Sequence, residues 1–215
     1  MNFSLVTPYL PLFASGLITT LEVTAASLAL AFALGFVIAV LKVTPWRPLR
    51  ALLAFYTSVF RGVPLIVLLF IAYFATPQLT GYKISMFAAS VLTLGLNGSA
   101  TVSETLRGGI EGVNQGQYDA SRALGLPYVT MMRLVIIPQA LRSVAPALVN
   151  EAITVLKSSS LVAVIGLGDL MRAAQTTQAL TYRAFEPFLV AAAVYYVIVM
   201  ALTLVATCLE RKLRL

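Results

Sequence analysis

TTLEVTAASLALAFALGFVIAVL, residues 19–41, carries a single ionisable side chain, Glu22, in a run of apolar and small residues. An α-helix needs about 20 such residues to cross the hydrocarbon core of a bilayer, and this stretch supplies them unbroken. The composition of the whole chain agrees. Of its 215 residues, 60% are hydrophobic and 11% charged, where a soluble domain carries roughly 25% charged. Too little charge remains to keep a globular surface wet. The sequence therefore reads as an all-α integral membrane protein, one domain over residues 1–215.

Four further stretches have the length or nearly so, giving five expected spans at roughly 19–41, 51–76, 84–106, 143–166 and 186–209. Residues Pro8 to Gly16 are expected to form an interfacial lead-in. MNFSLVTPYLPLF has no basic n-region, so the first span is expected to do its own targeting. Ala25, Ala29 and Ala33 recur at spacing four, a pattern that lets helices pack closely in lipid.

Basic residues set the orientation, because cytoplasmic loops are enriched in them. With the N-terminus outside, Lys42, Arg47, Arg50, Arg61, Arg107, Arg122, Arg133, Arg142, Arg211, Lys212 and Arg214 fall inside. Only Lys83, Arg172 and Arg183 fall outside, with Lys157 left within the bilayer. Five spans then place the C-terminus in the cytoplasm. The net charge of +7 is accounted for by this asymmetry, so no nucleic-acid partner is needed.

Histidine is absent and Cys208 is the sole cysteine. A Ser-His protease, a His-based zinc site, a haem histidine and an intramolecular disulfide are thereby excluded. No GxxxxGK[ST] phosphate loop is present either. Most enzyme readings end here.

The long polar excursion, residues 107–142, lies between the third and fourth spans. Within it QYDASRALGLP reads as a short helix, with Asp119 near its start, Gly125 as a left-handed stop and Pro127 blocking continuation. YVTMMRLVII reads as a second piece ending at Pro138. Asp119-Ala120-Ser121, Gly125 after three residues, then Val135, Ile137 and Pro138, resembles the coupling-loop signature of bacterial ATP-binding-cassette importer permeases. FRGVPLIVLLFIAYFATP, SETLRGGI and IPQALRSVAPALVNEAITVLKSSSL resemble the polar amino acid branch of that family, in its order.

The resemblance implies a concrete assembly. Two permease subunits, identical or different, would pair in the bacterial inner membrane and bind a cytoplasmic cassette ATPase dimer. The ATP and Mg would sit on that dimer, with no cofactor in this chain. An extracytoplasmic binding protein would deliver a polar amino acid. Asp119, Ala120, Ser121, Ala123, Leu124, Gly125 and Pro138 would seat the coupling helix on the ATPase. A passive channel or small solute carrier without an ATPase is the alternative.

Counting from Arg142 at 1.5 Å per residue, Glu151 lies roughly 13 Å into the fourth span and Ser158 about 24 Å. Asn97 lies roughly 15 Å in from Arg107 on the third. Glu151, Thr154 and Ser158, spaced i, i+3, i+7, share one helix face. A charge at such depth faces the bundle interior or a wet cavity. The expected site therefore has Glu151 accepting a substrate ammonium, with Asn97, Thr154 and Ser158 as neutral partners. The competing role for Glu151 is a pair with a basic residue of the second subunit. Lys157 is expected to brace a helix break, and Glu104 to pair with Arg107. Where many relatives read Lys-Asp-Thr-Ser-Leu, this chain has Lys157-Ser158-Ser159-Ser160-Leu161. The missing aspartate argues against a dibasic substrate and for a neutral or acidic one. The segment with Asp169, Arg172, Arg183 and Glu186 is expected to lie along the outer surface as a short helix, docking the binding protein or serving as a linker.

Overall fold

A computed structural model describes residues 3–213, with side chains described through Cys208. The basic side chains of Arg211 and Lys212, and all of Arg214, lie outside the described residues. Every regular element described is helical. Four helices are long and apolar enough to cross a membrane, or five when one bent pair counts as a span.

Two 3₁₀ turns, Phe3–Leu5 and Thr7–Tyr9, lead directly into α1, Leu10–Lys42. Its 33 residues reach roughly 50 Å at 1.5 Å each. The expected lead-in is thus mostly helix. Pro11 causes no break because it falls in the first turn, where its missing N–H has no partner to lose.

The α1 face that packs is not the expected one. Ala25, Ala29 and Ala33 are exposed, while Ser27, Ala31, Gly35 and Ala39 are buried at the same spacing of four. The stripe contacts α4, Met86–Glu111. A Cβ at Gly35 would stand 2.6 Å from Val102 Cγ1, and one at Gly98 would stand 3.0 Å from Ala31 Cβ. Close backbone approach through small residues is how helices associate where lipid removes the hydrophobic drive.

The expected second span, 51–76, is two helices instead. α2, Arg47–Gly62, and α3, Leu65–Thr80, meet at 103°. Pro64 is the cause: a residue preceding proline is disfavoured in the α region, and Val63 is extended at φ −93°, ψ 133°. α3 contains a π turn at Ile71–Ala75 and stops at Gly81, φ +73°.

After α4 comes α5, Gln115–Ala123. It is capped by Asn114, whose Oδ1 accepts from Gly116 N at 2.8 Å. Asp119 therefore sits in the middle of this helix rather than near its start. Gly125 does adopt the left-handed conformation, φ +69°. Gly125 N donates to Arg122 O and Leu126 N to Ser121 O, closing the helix end.

Pro138 does not end the following helix. α6 runs from Tyr128 to Ile165, taking a π turn at Met132–Ile136 just ahead of the proline. It narrows from α to 3₁₀ geometry at Ser158–Ser159, one residue past Lys157.

α7, Leu170–Thr181, packs its Leu170, Ala173 and Ala174 with Phe13 of α1 and Ala191 of α8, Phe185–Leu213. One face of this segment packs between α1 and α8, while Arg172, Gln178, Ala179 and Leu180 stay exposed. Asp169, expected as a surface charge, is fully buried as the α7 N-cap, accepting from Arg172 N at 2.9 Å and Met171 N at 3.3 Å. Burial pushes its carboxyl up to about 6 despite those donors. Glu186 is also buried, at 3% exposure. A Cβ on Gly16 would meet Asp169 O at 2.7 Å, and Thr20 Oγ1 accepts from Leu170 N at 3.0 Å. The α6–α7 corner is thereby locked to α1.

Candidate functional site

Breaking α2 at Gly62 leaves its last carbonyls without helical donors. Asn97 of α4 meets one of them: its Nδ2 donates to Phe60 O at 2.5 Å. Asn97 lies eleven residues from the start of α4 and fourteen from its end, roughly 16 Å and 21 Å at the helical rise. The α2–α3 elbow therefore sits near mid-depth in the bundle. The amide has a structural duty, yet its Oδ1 and second N–H remain available.

The next residue, Gly98, is where α1, α4 and α6 converge. A Cβ there would be 3.4 Å from Val155 Cγ2 and 3.9 Å from Glu151 Oε1. Glu151 is thus brought beside the Asn97 turn, half-buried and, among the described residues, without an ion pair within 4 Å.

Arg61 follows Phe60 at the close of α2 and is exposed. The distribution of basic residues assigns it to the inner end. The hydrogen bond between its neighbour Phe60 and Asn97 puts it at the elbow instead. The overlooked signal was Gly62-Val63-Pro64, which ends a helix inside an apolar run.

Thr154 and Ser158 do share the Glu151 face. Thr154 is exposed, with its hydroxyl donating to Asn150 O at 3.0 Å, and Ser158 is half-buried. Val155, Leu156 and Ser159 turn into the core behind them. Lys157 is exposed at the α-to-3₁₀ transition.

Glu104 pairs with Arg107 as the spacing predicts: Arg107 Nη2 reaches Glu104 Oε2 at 2.7 Å and its Nε reaches the same oxygen at 3.0 Å. The pair has a third member, Lys42, which donates to Glu104 Oε1 and to Thr57 Oγ1. This network ties the end of α1 to α2 and α4.

At the same end, α5 stands out from the bundle. Asp119, Ala120, Ala123, Leu124, Gly125 and Pro138 are exposed, whereas Ser121 is buried and donates to Gln117 O. Asp119 makes a long pair with Arg122, at 3.5 Å, and accepts from Gln115 Nε2 at 3.4 Å. Leu124 at 78% and Val129 at 73% exposure leave an apolar rim around Gly125. Tyr118 anchors the base through Oη to Ile110 O at 2.8 Å, and burial raises its phenol above the ordinary value.

Residues 31–215 match the family model for the binding-protein-dependent transport system inner membrane component. The chain is 44% identical over 214 residues to the arginine transport system permease protein ArtQ of Bacillus subtilis, covering 100% of this chain and 98% of that one. It is 38% identical to the putative glutamine transport system permease protein GlnP of Rickettsia felis, covering 96% and 94%. A crystal structure of an amino acid ABC transporter with histidines superposes with a TM-score of 0.93 at 40% identity, over 99% of each chain. The fold, the bent α2–α3 pair and these similarities converge: the chain belongs to the family of binding-protein-dependent transport system inner membrane components.

Proposed function

We propose that this chain forms, with a second permease subunit, the path by which an ATP-driven importer carries a polar amino acid across the bacterial inner membrane. In this reading it has five spans, with α2 and α3 together making one of them. The N-terminus is outside and the C-terminus cytoplasmic. A binding protein delivers the substrate, and a separate cassette ATPase dimer hydrolyses ATP. Asp119, Ala120, Ser121, Ala123, Leu124, Gly125 and Pro138 form the coupling surface. Its apolar rim around a rigid left-handed turn supports docking into a complementary groove.

One observation carries the substrate assignment: Glu151, half-buried and among the described residues without an ion pair within 4 Å, lies beside the Asn97 turn at mid-depth, with Arg61 next to the Phe60 carbonyl that Asn97 holds. Glu151 takes the α-ammonium and Arg61 the α-carboxylate. Asn97, through its free Oδ1 and N–H, takes the side chain with Thr154 and Ser158. Since the two charges cancel, a neutral polar side chain fits better than a cationic one. The arginine in the name of the Bacillus relative makes this a point for direct test.

The test is uptake into vesicles holding the complete transporter, with glutamine, histidine, arginine and glutamate compared. Glu151→Gln and Arg61→Gln should each reduce glutamine uptake at least tenfold, the equivalent of one lost charge-assisted hydrogen bond of about 1.5–3 kcal/mol, while the complex still assembles. Undiminished uptake in both variants would remove the site from this position.

A further inference from the structure

At the end of the bundle that carries α5, an open cavity of about 730 Å³ lies between the close of α1, the start of α2 and the close of α4. Four cations line it, Lys42, Arg47, Arg50 and Arg107, against two carboxylates, Glu104 and Glu111. The pairing is unequal. Lys42 and Arg107 are both committed to Glu104, and Arg107 also to Glu111 at 2.6 Å. Arg47 and Arg50 are exposed and, among the described residues, form no ion pair.

Arg47 and Arg50 are spaced i, i+3, so they are neighbours on the surface of α2. Two adjacent guanidinium forks over one cavity suit a tetrahedral oxyanion, which accepts several parallel N–H donors at once. The surroundings narrow the choice of anion. Trp46, at the start of α2 and four residues before Arg50, is 63% exposed, and Phe55, about 80° round the helix from Arg47 at 100° per residue, is 68% exposed. Tryptophan favours the headgroup level of a bilayer, and basic pockets between spanning helices suit anionic headgroups.

We propose that Arg47 and Arg50 bind the phosphodiester of an anionic phospholipid in the leaflet at this end, its apolar part lying against Trp46 and Phe55. A soluble phosphate would satisfy the arginines and leave the apolar strip unused; a lipid uses both. The bound headgroup rests against the Lys42–Glu104–Arg107 network, so the site joins the membrane surface to the base of the coupling region.

The complete transporter is purified in detergent with equal phosphatidylglycerol and phosphatidylcholine of one chain length, and retained lipid is measured by mass spectrometry. Phosphatidylglycerol should be retained in preference. Arg47→Gln and Arg50→Gln should each lower that preference about fivefold, the equivalent of ~1 kcal/mol per basic residue at a membrane surface. Arg47→Lys with Arg50→Lys should keep most of it, and decides the matter if the glutamine variants fail to assemble. Millimolar inorganic phosphate should leave the lipid in place. Equal retention of the two lipids, retention unchanged by both glutamine variants, or displacement by inorganic phosphate would each overturn the proposal.

Discussion

Asn97→Ala is the most informative single change to the fold around the site. The amide donates to Phe60 O at 2.5 Å, a carbonyl that the break at Gly62 leaves without a helical donor. Val63 N already serves Val59 O, and Pro64 has no N–H to offer. Alanine supplies no donor in its place. An unsatisfied group of this kind costs about 1–3 kcal/mol. For a chain of this size each kcal/mol shifts the melting temperature by about 2–4 °C, so the expected loss is roughly 2–12 °C. The assay is thermal unfolding of the detergent-purified transporter, with Ser158→Ala as control. The Ser158 hydroxyl makes no described hydrogen bond, so its loss should leave the melting temperature unchanged and weaken substrate binding alone. A shift under about 1 °C for Asn97→Ala, half of what a single kcal/mol delivers, would refute the view that Asn97 holds the elbow.

Gly35→Ala places a methyl 2.6 Å from Val102 Cγ1; the overpacking should destabilise by about 1–3 kcal/mol, and Val102→Ala should restore most of it in the double variant. Asp169 is protonated more readily in the folded chain than in the unfolded one, its carboxyl raised from 3.8 to about 6 by burial. Its contribution is therefore greatest below about pH 4 and is lost as the pH rises to about 6, a fall of about 3 kcal/mol. Asp169→Asn keeps a capping oxygen and should flatten this part of the stability–pH curve. Gly125 has open space around its Cα but a φ of +69°, so Gly125→Ala should cost about 1–2 kcal/mol and Gly125→Asn less. Gly125→Glu should abolish co-purification of the ATPase while membrane insertion persists.

Much of this was legible in the chain because lipid enforces simple rules. Apolar length gives the spans, and the Asp119–Gly125 spacing gives the protruding helix with its left-handed stop. The elbow was not legible from length, since ALLAFYTSVF and VPLIVLLFIAYFA add up to one crossing whether straight or bent. Pro64 decides it through the backbone of Val63, a local effect that a hydropathy window averages away. The depth of Arg61 was lost with the elbow. The α1 stripe was misjudged because alanines at two phases of one helix look alike, and only the facing glycines of α4 select between them. The burial of Asp169 is hidden in the sequence because its neighbours are polar, although a helix N-terminus gives a buried carboxylate its donors. Depth and periodicity nominate Glu151, Asn97 and Ser158, which are half-buried, and Thr154, which shares the Glu151–Ser158 face and is exposed.

The proposed assignment of Arg61 and Glu151 to the two ends of one substrate has an electrical consequence. Moving one elementary charge through a membrane potential of 100 mV involves about 2.3 kcal/mol. In the proposed site the two fixed charges sum to zero, and a zwitterion adds none. An empty site and a loaded one therefore present the same net charge to the field. Each half of the transport cycle becomes insensitive to voltage, leaving ATP as the sole source of direction, whereas a cationic amino acid would be drawn inward by the potential on every turnover.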